Sequence, residues 1–280
     1  MILDDSRNET QPSDQTNVLI NRLSNSYCFG MDFYESSYGK ETTDARTEAI
    51  TQLTADALRE TGAEPIKLLE VGSGNGTSLA AVVLLLNTTH GVDPNRLQVS
   101  AWDISQTGVS EAKEIGFDAH VRDITQAGLP AEVEDRYHII LFTEVLEHVV
   151  DTGLTMRNLH ELLLPGGFLV ITTPNLAAWY NRIILLFGLQ PHMTEVSFEP
   201  HRFGNRLFER LLGEEQGKSH MAGHLRVFTL KALKEFMEYH EFKILKCVGV
   251  ANQGDVISRI VARVWKGGAG DVALLAQKCA

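Results

Sequence analysis

The sequence predicts an α/β fold in which a parallel sheet is covered by helices on both faces. Three observations carry that expectation. Between residues 66 and 173, short apolar runs of strand length alternate with segments of helical periodicity. A glycine-rich turn follows the first run, where a strand must hand over to a helix. With 280 residues, 44% of them apolar, the chain is long enough to bury such a sheet on both sides.

Taken in order, IKLLEV (66–71) reads as the first strand and SLAAVVLLL (78–86) as a buried helix. LQVSAWDI (97–104) is the second strand, and SQTGVSEAKEIG after it is a helix that Gly116 ends. DAHVRD (118–123), YHIILF (137–142) and GGFLVITT (166–173) supply further strands. A helix over 152–163 has Leu154, Met156, Leu159, Leu162 and Leu163 at roughly helical spacing. The rhythm stops after residue 174 and resumes with the helix FTLKALKEFMEYH (228–240). FKILKCVGV (242–250) is then a strand, VISRIVARVW (256–265) an amphipathic helix and DVALLAQK (271–278) a last strand. The expected organisation is a disordered tail over 1–16 and one domain over 17–278. Within that domain, a helical N-terminal segment (17–62) and an insertion (175–223) are both able to fold over the site.

Composition bounds the function. A formal charge of −11 argues against a general nucleic-acid or anionic-membrane binder, which needs a basic face, although a local basic patch is compatible with it. Cys28, Cys247 and Cys279 form no CxxC pair, which fits a reduced, cytoplasmic compartment. The polar, acidic start MILDDSRNETQPSDQTN lacks the pattern of a signal peptide. The richest apolar run, IILLFGL (183–189), is far too short to span a bilayer.

In LLEVGSGNGTS (68–78), Gly72, Gly74 and Gly76 let the backbone turn tightly and approach a ligand beyond the carboxyl end of a strand. The spacing is G-x-G-x-G, with Thr77 where a dinucleotide-type turn has its third glycine, which disfavours a nicotinamide-dependent dehydrogenase. Glu70 would repel a pyrophosphate but could attract a cationic amino group through an ordered water. Asp103, in AWDIS, ends the second strand, where a carboxylate accepts from both ribose hydroxyls. Asp123, in VRDIT, stands where it can reach an adenine amino group. At these residues the chain resembles the class I S-adenosylmethionine (SAM) dependent methyltransferases, and TEVLEHV, LLPGGFLVITTPN and HLRVFTLKALKEF follow in the family's order. The resemblance covers about 66–278. It implies a Rossmann-like seven-stranded sheet with the last strand antiparallel beside the sixth. It also implies a SAM site made by Glu70, Gly72, Gly74, Gly76, Asp103, Ile104, Asp123, Ile124 and Thr143.

TEVLEHV (143–149) puts Glu144, Glu147 and His148 at spacings that converge on one face of a helix, with Thr143 as its N-cap. The E-x-x-E-H cluster with a later His resembles the metal site of ubiquinone-pathway O-methyltransferases and of small-RNA 3′-end 2′-O-methyltransferases. Glu144, Glu147, His148 and His224 would then hold Mg²⁺, Mn²⁺ or Zn²⁺, the fourth ligand being a choice among His192, His201, His220 and His224. The other reading is a metal-free pocket in which Glu144 is a polar wall and His148 or His224 a general base. Thr173, Pro174 and Asn175 are expected to line the acceptor pocket, and Tyr34 and Tyr38 to cover the cofactor or simply pack. In LAAWYNRIILLFGLQP, apolar residues spread around much of a helix, which predicts burial rather than a membrane-lying stripe.

These residues point to methylation of a small-molecule hydroxyl. RNA-end 2′-O-methylation and a SAM-binding regulatory or assembly protein without turnover are the alternatives. The acceptor, the methylated atom and the oligomeric state are not legible, and a homodimer is left open.

Overall fold

The computed structural model describes residues 45–129, 136–197, 203–204, 223–251 and 255–279. The expected tail over 1–16, Tyr34, Tyr38, His201 and His220 lie outside these residues. The chain enters through α1 (Ala45–Glu60), β1 (Ile66–Val71) and α2 (Thr77–His90). β2 (Leu97–Asp103), α3 (Gln106–Ile115), β3 (Asp118–Val121) and β4 (Tyr137–Thr143) follow. α4 (Thr152–Leu162), β5 (Leu163–Pro174) and α5 (Trp179–Leu186) come next, then α6 (Leu230–Tyr239), β6 (Phe242–Val250), α7 (Val256–Val264) and β7 (Asp271–Lys278).

The strands form one seven-stranded sheet in the order β3-β2-β1-β4-β5-β7-β6. β7 is antiparallel to both of its neighbours, and the remaining pairs are parallel. This is the Rossmann-like sheet that the sequence implied. Alternate residues of the central strands feed two cores. Leu68, Ile139, Leu141, Phe168, Val170 and Leu275 join α1, α2 and α3 on one face. Leu69, Ile140, Phe142, Leu169, Ile171 and Leu274 join α4 and α6 on the other. Burial on both faces is why these strands read as continuous apolar runs.

Local signals place the boundaries. Ser105, Asp151, Thr229 and Asp255 cap α3, α4, α6 and α7, each accepting a backbone N–H three residues on. Gly91 and Gly116 end α2 and α3 in the left-handed conformation. The long path from α2 to β2 is taken up by the last turn of α2, by Gly91 and by a 3-10 turn at Pro94–Arg96 that Asp93 caps. Its register is regular, from Ile66↔Leu97 to Val71↔Trp102, so Asp103 stands one residue beyond the last β1 partner.

One expectation about burial fails. In α5, Tyr180 and Asn181 are buried, whereas Ile183, Leu185 and Leu186, with Phe187 just beyond, are exposed. The sheet faces are already covered by other helices, so α5 lies on the rim. There Asn181 fixes it by exchanging two hydrogen bonds with the His192 backbone. Among the described residues, no helix is long and apolar enough to cross a membrane.

Phe142 is fully buried in the second core. Phe142→Ala should therefore lower stability by about 3–5 kcal/mol, read from urea unfolding of the ligand-free protein.

Candidate active site

The glycine turn is built by close approach. Trp102 O accepts hydrogen bonds from both Gly72 N (2.7 Å) and Ser73 N (3.1 Å), which folds the loop back over the end of β2. Gly72, with φ 80°, has no room for a side chain, because a Cβ there would overlap Val145. Gly108, at the start of α3, faces the loop so closely that a Cβ would lie 2.7 Å from Gly74 O. Gly76 is the left-handed N-cap residue of α2.

The acids stand at the strand ends. Asp103 accepts from Gly74 N and Ser105 N, both at 2.7 Å, so its carboxylate ties the glycine turn to the β2 end. Glu70 is buried and accepts from Thr143 Oγ1 at 3.2 Å, while its Oε2 has no hydrogen-bond partner among the described residues. Burial pushes the Glu70 carboxyl up to about 7, the Thr143 bond opposing and the nearby Asp103 adding to the rise. Asp123 accepts from Thr125 N and Oγ1 in a local turn. Ile104 is exposed beside Asp103, but Ile124 packs into the core with Trp102 and Tyr137, and its carbonyl accepts from Asn158. The Ile124 side chain is taken by packing, which leaves its backbone N–H as the group that could meet a cofactor.

TEVLEHV does not form the expected helix. Thr143 is the last residue of β4, Glu144 takes a left-handed backbone (φ 55°), and Leu146–His148 is a single 3-10 turn. Thr143 is therefore no N-cap, and the next α-helix begins at Thr152 behind Asp151. The reversal gives the two glutamates different partners. Glu144 N donates to Thr172 O, its Oε1 accepts from Thr172 Oγ1 (2.8 Å) and its Oε2 pairs with Arg46 (3.3 Å).

Glu147, His148 and His224 do converge, each offering a ligand atom within 4.8 Å of the others. Glu147 is fully buried. Its Oε2 accepts from Thr173 Oγ1 (3.0 Å), and its Oε1 has no hydrogen-bond partner among the described residues and lies 3.9 Å from His148 Nε2. His224 is held by its backbone. Leu225 N and Arg226 N donate to Glu147 O, while Gly223 N and His224 N donate to the Glu195 carboxylate. Carbonyls only accept, so His148 Nδ1 facing Gly223 O (3.2 Å) and His224 Nδ1 facing Met193 O (3.1 Å) carry protons. Both Nε2 atoms then keep their lone pairs when the rings are neutral.

A family model described as a methyltransferase domain matches residues 43–246, most of the chain. The chain belongs to the methyltransferase domain family. The chain is 30% identical over 130 residues to a ubiquinone biosynthesis O-methyltransferase of Caulobacter sp. (strain K31), covering 46% of this chain and 49% of that protein. It is 28% identical over 163 residues to a protein of the same name from Brucella anthropi, covering 58% and 60%. The match thus spans between half and three fifths of these relatives' lengths. In fold it is similar to an S-adenosylmethionine-dependent methyltransferase from Clostridium acetobutylicum, with TM-score 0.53, 14% identity and coverage of 91% and 99%. SAM is the methyl donor of this family.

Sequence reasoning missed four residues of this candidate site. Arg46, on α1, bridges Glu144 and the buried Asp271 at the start of β7, the second contact being 2.7 Å. Thr172 holds Glu144, and Glu195 holds the His224 backbone. Polar strand ends in Thr172 and Asp271 were the available signal, but nothing in the sequence pairs them with Arg46. Thr173 and Asn175, expected to line the acceptor pocket, are both tied to neighbouring groups. Both are buried, Thr173 on Glu147 and Asn175 on the carbonyls of Gly267 and Ala269. His192, Tyr180's ring neighbour, is outside the metal-type cluster.

Burial dominates the electrostatics. It pushes Glu144 up to about 8, Arg46 opposing and Asp271 and Glu147 adding. Burial raises Glu147 to about 7 against its own backbone N–H, Thr173 and Arg46. His224 is lowered, chiefly by burial, and so favours the neutral ring. A carboxyl raised in the folded state stabilises below its unfolded value, and that stability is lost as pH rises through the folded value. For Glu70 the window runs from its ordinary 4.5 to about 7. In the ligand-free protein, Glu70→Gln should match the wild-type melting temperature near the bottom of this window. Above it the variant should melt higher; a gap independent of pH would contradict the burial of a titrating Glu70.

Proposed function

We propose that this methyltransferase moves the methyl group of SAM to a hydroxyl of a small-molecule acceptor, assisted by a divalent cation. The observation that carries the reading is the buried, unpartnered Glu147 Oε1 set against two imidazoles whose Nδ1 atoms face carbonyls. That donor set fits a cation: one anionic oxygen and two neutral nitrogens, with the protonated side of each ring already oriented. Three protein ligands leave positions for acceptor oxygens, and two imidazoles suit Zn²⁺ or Mn²⁺ better than Mg²⁺. When bound, such an ion lowers the pKa of a hydroxyl and holds its oxygen in place. Glu144 does not join it in this arrangement. Its pairing with Arg46 supports a role in fixing the strand ends behind the ligands.

SAM carries its own electrophile, so the protein's tasks are in-line positioning and removal of one proton. Gly72, Gly74 and Gly76 would admit the cofactor along the turn. Asp103 and Asp123 would take the ribose and adenine sides, with Ile104 against the base. Glu70, steadied by Thr143, would face the methionine amino group. His148 and His224 would receive the acceptor's proton if no ion is present. The printed name of the Caulobacter and Brucella relatives, an O-methyltransferase, supports oxygen as the acceptor atom.

Titration calorimetry with S-adenosylhomocysteine (SAH), then Zn²⁺ and Mn²⁺, tests both halves. Asp103→Ala should weaken SAH by roughly tenfold or more, through loss of charge-assisted hydrogen bonds; folded protein that ignores SAH would reject the cofactor assignment. Glu147→Gln should abolish the metal signal while leaving SAH affinity nearly unchanged, and Glu144→Gln should retain one ion per chain. Metal binding indifferent to Glu147→Gln rejects the ligand set.

A further inference from the structure

α7 is built inside out. Val256, Ile257, Ile260 and Val264 are 69%, 58%, 55% and 74% exposed, and their spacing makes one stripe along the helix. The opposite face carries the small, buried Ser258 and Ala262. It presses on β6 so closely that a Cβ on Gly249 would lie 2.5 Å from Ala262 O. Small residues face the protein and large apolar ones face away, the reverse of a core helix. α5 adjoins α7 from the side of its buried face, where Trp179 Nε1 donates to Ser258 Oγ (3.3 Å), and the Arg182 guanidinium lies 4.9 Å over the Trp265 ring. Ile183 and Leu186 follow Trp179 at the helical spacings i+4 and i+7, and both are exposed.

Both helices stand at the site end of the sheet. α5 follows the carboxyl end of β5, and α7 lies between the end of β6 and the start of β7, where Asp271 pairs with Val250 and Pro174. Asn175 ties the two together by bonding Gly267 O and Ala269 O, just after α7.

Charge decides the occupant. The chain carries −11 overall, yet this surface is flanked by Arg182, Arg259, Arg263 and Lys266, all exposed. Against these four cations stand Asp255, which caps α7 by accepting from Ser258 N, and Glu48 of α1, which lines a groove beside Arg259, Arg263 and Lys266. A second copy seated by two-fold symmetry would bring these cations against one another. An apolar stripe with basic flanks instead matches a lipid interface bearing anionic headgroups.

We propose that the α5–α7 rim docks this protein on anionic membranes, with α7 lying in the interface plane. The proposal is independent of the methyl-transfer reading, because docking is measured without turnover.

The test is co-sedimentation of the full chain with vesicles of phosphatidylcholine alone or mixed with phosphatidylglycerol. The protein should pellet with the mixed vesicles and be released by salt, as screening shortens the reach of the basic flank. Ile260→Glu/Val264→Glu should reduce the partition coefficient by at least about tenfold, with melting temperature unchanged. Arg259→Gln/Arg263→Gln should remove the preference for mixed over neutral vesicles. Absence of binding to mixed vesicles at low salt overturns the proposal, as does binding that both double variants leave unaltered. A concentration-dependent dimer that Ile260→Glu/Val264→Glu dissolves, without vesicle binding, overturns it in favour of a second copy.

Discussion

Burying carboxylates is the constraint around which the site end of the sheet is arranged. Buried Glu147 and Asp271 and half-buried Glu144 stand at the end of β4 and the start of β7, with Glu70 buried on β1, and each needs a compensating group. Arg46 supplies positive charge to two of them, and the hydroxyls of Thr172, Thr173 and Thr143 supply donors. The compensation is incomplete, since Glu70 Oε2 and Glu147 Oε1 keep no partner among the described residues. Buried anionic oxygens left in this state are costly unless a cation or a donor is to arrive. The strand ends are therefore preorganised for positive charge or donors at two oxygens, which is what the proposed cofactor and cation assignments rest on.

The fold was legible because each strand, buried on both faces, is an apolar run, and because most helices announce their ends with Ser, Thr, Asp or Gly. The expected segments 66–71, 97–104 and 242–250 meet the observed strands almost residue for residue. The glycine turn and the strand end at Asp103 were legible for the same local reason, as tight turns and strand ends are written in consecutive residues. What failed was non-local. TEVLEHV looks helical by spacing, but Glu144 takes a positive φ because Thr172 and Arg46, far along the chain, hold it there. Arg46 and Asp271 are 225 residues apart, and no pattern within either segment signals their ion pair.

The same limit explains the misjudged burial of α5. A helix apolar on several sides normally sits in a core, and periodicity alone has no information about whether a core is still available. Here the faces of the sheet are filled by other elements, so the leftover apolar surface of α5 and α7 points outward on the rim. Two short helices, each unremarkable alone, adjoin through Trp179 and Arg182.

The base of the insertion has a consequence of its own. Leu176 N donates to Phe228 O, Asn175 bridges Phe228, and Leu225 N and Arg226 N donate to Glu147 O. The two ends of the segment are thus stapled together and to the ligand-bearing turn. Loop closure is nearly indifferent to length, each doubling costing only about 0.6 kcal/mol. The interior of the insertion is therefore free to lengthen, shorten or change composition while His224 stays in register. Changes between the two ends need not disturb the backbone that holds His224, much as a socket outlasts the fittings that pass through it.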